Sequence, residues 1–442
     1  MSSRLRTLRF AGALALVALG AAAFAIVFRW SNHAISEVLF GPGNLLEVFR
    51  RFPWWQRLLV PIVSALLAWA VLKFSARFGA SASVGEVMEA VAAGKGRMSA
   101  PVTALKALAS WFAIGGGASI GREGPLIQFG GALGSSLSRW LNTGDDKHRA
   151  LVAAGTAAGF AAAYNTPIAA MLFMVEIVAG VATLEVLVPA GIAIVLATAL
   201  TRAVLGEGPL YGLRTFTLVN PAELIGYGLL GISAGLAGAG FMAMLEKAEH
   251  LSKKTNRPLW QRIAVGAIGV GLLAMVLPEV VGNGYEPLGE VLSGKLPWLV
   301  LGALLIAKPL ATTLSVSSGL PGGVFTPTLL LGACLGALFG GAANSLFPGH
   351  VAPPSAYALV GLAGLCAATT HAPLMAAVLG FELSGDYAIA LPLMLVCTSA
   401  AWISEQLHPT SVYEAELERR GFVWQDAPGE RRLRPINSSD ED

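Results

Sequence analysis

Long apolar stretches recur along the chain and are separated by short polar segments. They cover residues 10–28, 58–72, 107–121, 150–180, 186–200, 222–245, 263–278, 296–307, 328–343, 355–381 and 388–403. Several are shorter than the roughly 20 residues that a helix needs to cross a bilayer. Glycines and prolines lie mostly inside these stretches, and broken backbone at membrane depth survives only where protein or a water-filled cavity covers it. The pattern predicts an all-α integral membrane protein with many tilted and broken transmembrane helices.

Composition and charge agree with a multi-pass membrane protein. Of the 442 residues, 55% are hydrophobic and 13% are charged, whereas an average soluble domain has about 25% charged residues. Arginines flank the first and the last apolar stretch, and short cytoplasmic segments carry the excess of positive charge in membrane proteins. These arginines are Arg4, Arg6, Arg9, Arg419, Arg420, Arg431, Arg432 and Arg434. We therefore expect both termini to be cytoplasmic.

Enzymatic and cofactor chemistry has no support in the sequence. Cys334, Cys366 and Cys397 lie in apolar segments without CxxC or Cys/His metal spacing, so we expect reduced core residues. The sequence has no HExxH, GxSxG or GxxxxGK[ST] motif, and GxGxxG would need a glycine at Ile120. We expect no enzyme, no metal or cofactor, and no binding to nucleic acid.

Two segments of the first part of the chain recur in the second. Residues 106–137 align without a gap with 308–339, with nine of 32 positions identical, and 153–176 align with 359–382, with seven of 24 identical. The offsets are 202 and 206 residues. The matched pairs include Lys106/Lys308, Gly121/Gly323, Pro125/Pro327, Pro167/Pro373 and Glu176/Glu382. The chain therefore consists of two similar halves.

The repeat sets the domain organisation. We expect a first transmembrane half at 1–205, a second at 206–420 and a short cytoplasmic tail at 421–442. Between the halves, residues 203–222 have the glycine, proline and polar content of a loop. An odd number of crossings in each half would make the repeats inverted, and inverted repeats place the substrate site between them.

Each half contains a glycine-rich segment that leads into an apolar helix. In the first half this is Gly121-Arg122-Glu123-Gly124-Pro125, and in the second it is Ser317 through Pro327. Proline is favoured in the first helical turn because its missing N–H needs no partner there. The free N–H groups and the positive dipole ends would face the space between the halves. Two such helix starts predict an anion site without a buried full positive charge.

Glu123 stands at the first of these helix starts. A charged side chain at the centre of a membrane costs roughly 2.5 to 3.5 kcal/mol on insertion scales, so a functional role is the default hypothesis. A carboxylate at a helix N-terminus mimics an anion, which suits a movable substitute for the transported ion. The alternative is that Glu123 only caps the helix.

These motifs resemble those of the CLC family of chloride channels and chloride/proton antiporters. The likeness rests on GREGP at 121–125, GVFTP at 323–327 and the tyrosine of Ser411-Val412-Tyr413-Glu414-Ala415. Further similarity to the short bacterial branch, which lacks CBS domains, lies in Asn283-Gly284-Tyr285 and Thr370-His371-Ala372-Pro373-Leu374. Only 22 residues follow Arg420, so we expect no CBS pair. The resemblance implies a CLC-type inverted repeat, one pore per subunit, a homodimer and a bacterial inner membrane.

The resemblance also implies roles for single residues. Glu123 would be the external gate, which competes with the anion and accepts a proton. The N–H groups of Val324 and Phe325 would face the central anion, and the Tyr413 hydroxyl would donate to it; Tyr413 as an interfacial anchor is the alternative. Arg122 is interpreted as pairing with an acid or a carbonyl in the outer vestibule. The anion-binding segments would comprise Gly121, Arg122, Gly124, Gly323, Val324 and Phe325.

Two departures from the family pattern affect the prediction. The inner serine motif GSGIP is replaced by Ala80-Ser81-Ala82-Ser83-Val84-Gly85, so Ser81, Ser83 or backbone N–H groups alone would contact the anion. The second glutamate of the ILFxxEE segment is Ile177, which carries no proton. Glu176 is then the nearest candidate for the proton path, although its recurrence as Glu382 favours paired acids at helix ends.

We therefore predict chloride/proton antiport, and a passive chloride channel, gated by pH or voltage, is the alternative that Ile177 favours. An aquaporin-like pore is suggested by Asn165-Thr166-Pro167 and His371-Ala372-Pro373 but lacks two NPA motifs. Fluoride export is disfavoured because Tyr413 and GVFTP look like the chloride-handling pattern. The expected partners are chloride, protons, the bilayer and a second copy of the chain, with 186–200 and 388–403 as candidate interface segments.

Overall fold

The computed structural model describes residues 3–79, 83–92, 97–180, 183–208, 210–212, 218–427 and 430–436. The first half contains α1 (Ser3–Phe40), α2 (Leu45–Arg51), α3 (Trp54–Ser75), α4 (Val84–Ala92), α5 (Ala100–Gly115), α6 (Glu123–Trp140), α7 (Asp145–Tyr164), α8 (Pro167–Phe173), a π-helical segment (Met174–Ala179) and α9 (Leu184–Leu205).

The second half repeats this order of helices. It contains α10 (Glu223–Lys254), α11 (Leu259–Val276), α12 (Tyr285–Leu292), α13 (Trp298–Ser317), α14 (Phe325–Leu346), α15 (Pro354–Thr370), α16 (Pro373–Ser384), α17 (Ala390–Leu407) and α18 (Val412–Glu418), with 3-10 turns at Pro278–Val280 and Tyr387–Ile389. In order, α1 and α3–α9 correspond to α10–α17.

The predicted all-α membrane architecture is confirmed. Within the described ranges, eight helical segments are long and apolar enough to cross a membrane: Thr7–Arg51, Trp54–Ser75, Leu184–Leu205, Glu223–Lys254, Leu259–Val276, Trp298–Ser317, Phe325–Leu346 and Tyr387–Glu418. Shorter apolar helices lie among them at Ala100–Gly115, Pro167–Ala179, Pro354–Thr370 and Pro373–Ser384. The short helices are buried against the long ones, which is how a broken helix survives in a membrane. The three cysteines are buried and unbridged.

Equivalent residues of the two halves meet at the centre of the molecule. The Gly121 N–H donates to the Gly323 carbonyl at 2.6 Å, and the Gly323 N–H donates to the Gly121 carbonyl at 3.0 Å. An antiparallel pair formed by two matched residues is what a two-fold axis between the halves produces. The structure therefore has the inverted repeat that the sequence predicts.

A second pair of repeat-related contacts joins the halves. Glu176 accepts hydrogen bonds from the N–H groups of Leu374 (3.2 Å) and Met375 (2.6 Å) at the start of α16. In return, Glu382 accepts from those of Ile168 (3.0 Å) and Ala169 (2.8 Å) at the start of α8. Each acid thus caps the helix that the other half contributes. A carboxylate at a helix N-terminus is stabilising because it satisfies unpaired N–H groups and the dipole.

The tail at 421–442, expected only to be a short segment, contains a β-hairpin. Strands β1 (Phe422–Ala427) and β2 (Glu430–Pro435) form an antiparallel hairpin. The ring of Trp424 lies against Gly180 at the end of the π-helical segment, and Arg431 forms an ion pair with Glu414 at 3.2 Å. The hairpin therefore packs on the same face as α18.

Candidate functional site

The two predicted helix starts face each other at the pair formed by Gly121 and Gly323. Helix α6 begins at Glu123 and α14 begins at Phe325, which occupy equivalent positions of the repeat. Pro125 and Pro327 lie in the first turn of their helices, as expected. The predicted helix N-termini are confirmed, and they place an acid in one half opposite an aromatic residue in the other.

Glu123 is almost completely buried, with 1% of its surface exposed. Its Oε1 accepts hydrogen bonds from the hydroxyl groups of Tyr164 and Thr326, whose oxygens lie 2.9 Å apart. Within the described part of the chain, Oε2 has no hydrogen-bond donor. It lies beside Gly121 and Gly323, and a side chain at Gly121 would occupy its position. The carboxylate is therefore held by one oxygen in a space that two glycines leave open.

Tyr164 and Thr326 were not singled out from the sequence. Thr326 lies inside the GVFTP motif, and Tyr164 is the last residue of α7, within the repeated segment 153–176. A polar side chain within an apolar repeated segment could have identified both residues, because a buried hydroxyl group needs a hydrogen-bond partner. Their contact with Glu123 joins residues of both halves of the chain, so the local sequence around Glu123 does not predict it.

Aromatic rings connect Glu123 with Tyr413. The ring centroid of Phe325 lies 5.4 Å from that of Tyr164 and 5.6 Å from that of Phe160. Phe160 stacks on Phe173 at 4.4 Å, and Phe173 contacts Tyr413 edge-on at 5.7 Å. These distances are typical of favourable aromatic pairs. The predicted residues Phe325 and Tyr413 therefore belong to one packed wall.

A cavity of about 850 Å³ extends from this wall to the face that carries α18. Glu123, Gly124 and Pro125 form one end of its lining, and the ends of α10, α17 and α18 form the other. The predicted anion-site residues that line it are Ser83, Glu123, Gly124, Gly323, Val324, Phe325 and Tyr413. The structure thus brings residues from positions 83 to 413 into one cavity.

The two candidate serines have different outcomes. Ser83 lies at the start of α4, where its hydroxyl oxygen accepts a hydrogen bond from the Glu86 N–H at 3.3 Å. Its hydroxyl proton remains a donor that can turn to the cavity. Ser81 lies outside the described residues.

Arg122 has a different contact from the acid or carbonyl that sequence analysis favoured. Its guanidinium lies 5.1 Å from the ring centroid of Tyr285, and that of Arg29 lies 5.5 Å from the same ring. Both distances fit cation–π contacts. Both guanidinium groups therefore lie against one ring at the start of α12, and Arg122 directly follows Gly121 of the glycine pair.

The repeat-related lysines are both engaged. The Lys308 ammonium is buried and donates to the carbonyls of Val280 and Gly282, each at 2.9 Å. Lys106 lines the cavity and interacts electrostatically with Glu86 and Glu416. Ile177 is 4% exposed and belongs to the apolar core.

Comparison with known proteins places this geometry in a family. The chain matches the family model described as voltage-gated chloride channel over residues 63–405. A ClcB-like chloride channel protein from Ralstonia nicotianae is 38% identical over 409 residues, covering 91% of this chain and 95% of the relative. The voltage-gated ClC-type chloride channel ClcB from Escherichia coli is 32% identical over 403 residues, covering 89% and 95%.

Solved structures share the fold. A slow cyanobacterial Cl⁻/H⁺ antiporter matches with a TM-score of 0.84 at 24% identity, covering 93% of this chain and 98% of the antiporter. A CLC-type fluoride/proton antiporter matches with a TM-score of 0.74 at 22% identity, with coverage of 93% and 98%. The family match and the identity to the ClcB relatives together show that this chain belongs to the CLC family of voltage-gated chloride channels.

Proposed function

We propose that this chain exchanges chloride for protons across a membrane, with Glu123 as the gate and the proton acceptor. The observation that carries the proposal is the position of the Glu123 carboxylate. It lies between two facing helix starts, at the end of a cavity lined by the anion-site residues, and one of its oxygens has no donor among the described residues. Family membership supports chloride as the anion.

The gate would work by competition between two anions. The ionised carboxylate fits a place where helix dipoles and free N–H groups favour negative charge. Protonation removes this attraction, so the side chain leaves and a chloride ion takes its place. When chloride leaves, the carboxylate returns and releases its proton. Because one site holds either a chloride ion or the charged carboxylate, the movement of chloride in one direction is linked to the movement of a proton in the other.

The remaining lining residues would hold the anion below the gate. The N–H groups of Val324 and Phe325 stand at the start of α14, and the Tyr413 hydroxyl approaches from α18. Gly121, Gly124 and Gly323 let backbone come close to the ion, and Ser83 supplies one further hydroxyl. All of these contacts are neutral dipoles, so the ion is stabilised without being held as firmly as by a lysine. No cofactor is needed for this route.

We further propose that the face carrying α18 and both termini is cytoplasmic, in a bacterial inner membrane, and that the chain forms a homodimer. The arginines near both termini support this orientation. Arg29 and Arg122 would then lie in the external vestibule, where positive charge raises the local concentration of chloride.

The test uses purified protein in lipid vesicles with an outward chloride gradient. We expect chloride efflux to drive protons inward against their gradient. Glu123→Gln should abolish the proton movement and leave chloride efflux, because glutamine has the shape but not the proton exchange of glutamate. Glu185→Gln, an exposed acid at the start of α9, is the control. Chloride efflux without proton movement in the unmodified protein would overturn the exchange.

A passive chloride channel is the second candidate, and Ile177 is the observation that favours it. An isoleucine at the position of an internal acid cannot carry a proton, and Glu176, the carboxylate that precedes it in the sequence, caps α16. Glu176 remains a proposed member of the proton path, since a capping carboxylate can still be protonated.

A further inference from the structure

A group of charged side chains gathers at the end of the cavity opposite Glu123. Glu416 of α18 accepts a hydrogen bond from the Gly85 N–H at the start of α4, at 3.2 Å. Lys106 of α5 lies between two carboxylates and interacts electrostatically with Glu416 and with Glu86 of α4. Glu86 is 7% exposed, and its Oε2 has no hydrogen-bond donor within the described ranges. Two acids of different helices thus share one ammonium group.

The charges around this group do not cancel. Arg420 donates from Nε and Nη2 to Oε2 of Glu89, at 2.9 and 2.6 Å. Arg419 pairs with Glu249 of α10. With the two acids that share Lys106, the described groups in direct electrostatic contact here are five carboxylates and four cations: Glu86, Glu89, Glu249, Glu416 and Glu418 with Lys106, Lys253, Arg419 and Arg420. One negative charge remains, and a partly buried site reduces such an excess by binding a proton.

The excess charge falls on the pair formed by Glu86 and Glu416, because Glu89 and Glu249 each have an arginine at hydrogen-bond distance and Glu418 is exposed to solvent. Burial raises the pKa of Glu86 to about 7, although the positive charges of Arg420 and Lys106 oppose this effect. Since the two acids share Lys106, neither has its positive charge alone, and the pair binds a proton more readily than a carboxylate with a cation of its own.

Glu416 also has access to the transport cavity. It lines the cavity together with Glu123, Tyr413 and Lys106. Glu416 follows Tyr413 by three residues in α18, so the two side chains lie on the same face of the helix. The cavity volume of about 850 Å³ is far more than a chain of water molecules needs. One carboxylate of this pair, Glu416, therefore borders the same space as Glu123.

We propose that Glu416, which shares Lys106 with Glu86, is the carboxylate through which protons enter the cavity from the α18 face. The step is a proton transfer only: the carboxylate takes one proton from the solvent at the cavity mouth and returns it to water inside the cavity, from which Glu123 accepts it. The proposal rests on the proposed exchange of chloride for protons, and it gives a place for the proton on the side where Ile177 has none.

A purely structural role for Glu416 makes a different prediction. In that case the side chain only fastens α18 to α4 through the Gly85 N–H. Glutamine retains a side-chain oxygen that accepts this bond but exchanges no proton near neutral pH. Glu416→Gln therefore separates the two roles, provided that the purified variant is monodisperse and unfolds at the wild-type temperature.

The experiment compares wild type, Glu416→Gln and Glu123→Gln in vesicles that report chloride and proton fluxes together. We expect Glu416→Gln to lower the proton flux per chloride ion by roughly tenfold or more, as removal of a proton-transfer group commonly does, while chloride efflux persists. Glu418→Gln is the matched control, because this exposed acid on the same helix bonds to Thr410. It should couple as the wild type does.

A second variant tests the shared ammonium group. Glu86→Gln leaves the positive charge of Lys106 to Glu416, which favours the ionised form of Glu416, so the pH at which proton flux is half-maximal should move to a lower value. Full coupling in Glu416→Gln together with an unmoved pH profile in Glu86→Gln would overturn the inference and leave the proposed exchange intact. Absence of proton movement in the wild type would overturn the exchange, and the inference with it.

Discussion

At the scale of single residues, the hydroxyl groups around Glu123 decide how firmly the carboxylate of the proposed gate is held. Tyr164 and Thr326 both donate to Oε1, and hydrogen bonds to charged groups contribute about 1.5 to 3 kcal/mol each. Tyr164→Phe should therefore weaken the closed position and raise chloride efflux at alkaline pH by roughly tenfold. Efflux from vesicles at pH 8 measures this. Tyr357→Phe, a buried tyrosine of α15 that stacks on Tyr227, is the control, and equal efflux in both variants would contradict the role of Tyr164.

The glycine at position 121 supplies a second prediction at this scale. A methyl group there would overlap Oε2 of Glu123, and overpacking of a close-packed site costs typically 1 to 3 kcal/mol. We expect Gly121→Ala to lower the thermal stability of the purified protein. Much of this loss should disappear when Glu123→Ala is also present, because the overlapping atoms are then gone. Gly240→Ala, at a site open to the surroundings, should be neutral. An equal loss with and without the Glu123 side chain would show that the overlap is with backbone instead.

At the scale of helices, the reciprocal caps of α8 and α16 offer an internal control. Glu176 and Glu382 occupy equivalent positions and bind equivalent N–H groups. If capping is their whole role, Glu176→Gln and Glu382→Gln should lower thermal stability by similar amounts and should leave proton coupling unchanged. Glutamine keeps one of the two accepting oxygens, so the loss should correspond to about 1 kcal/mol for the other hydrogen bond. A loss of coupling in Glu176→Gln alone would assign it to the proton path. Flux assays and unfolding curves on both variants separate these results.

The helices also show which features the sequence could predict. Pro125 and Pro327 mark helix starts through their own backbone restriction, and the matched pairs of glycines and acids reveal the repeat, so both were predictable. The partners of Glu123 and of Arg122 were not, because these hydroxyl and aromatic contacts join residues 41 to 203 positions apart and depend on the packing of whole helices. The hairpin at 422–435 was missed for another reason: its sequence contains a turn signal, Pro428-Gly429, but the flanking segments are short and charged, as in an irregular tail.

At the scale of the whole molecule, the pseudo-two-fold axis explains why one chain suffices for one pore. Both helix starts, the proposed gate Glu123 and the cavity belong to a single chain, and the axis runs between Gly121 and Gly323. The symmetry is broken at single side chains: the acid Glu123 stands opposite Phe325, and Lys106 interacts with two acids whereas its counterpart Lys308 donates to carbonyls. In the proposed exchange, the duplicated helix starts would hold the anion, and the unmatched side chains would give the pore its direction.

The same picture makes a prediction about the proposed homodimer. The outward face of α9, within the candidate interface segment 186–200, exposes Ile192 at 48%. A tryptophan there would separate two subunits but would be accommodated by lipid. We expect Ile192→Trp to elute as a monomer in size-exclusion chromatography, whereas Leu236→Trp on α10, at a side chain 53% exposed, should elute as the wild-type dimer. Chloride flux per chain should be the same in all three, because each chain encloses its own cavity. A dimeric Ile192→Trp variant would exclude this face as the interface, and a monomer without flux would show that the pore depends on the partner subunit.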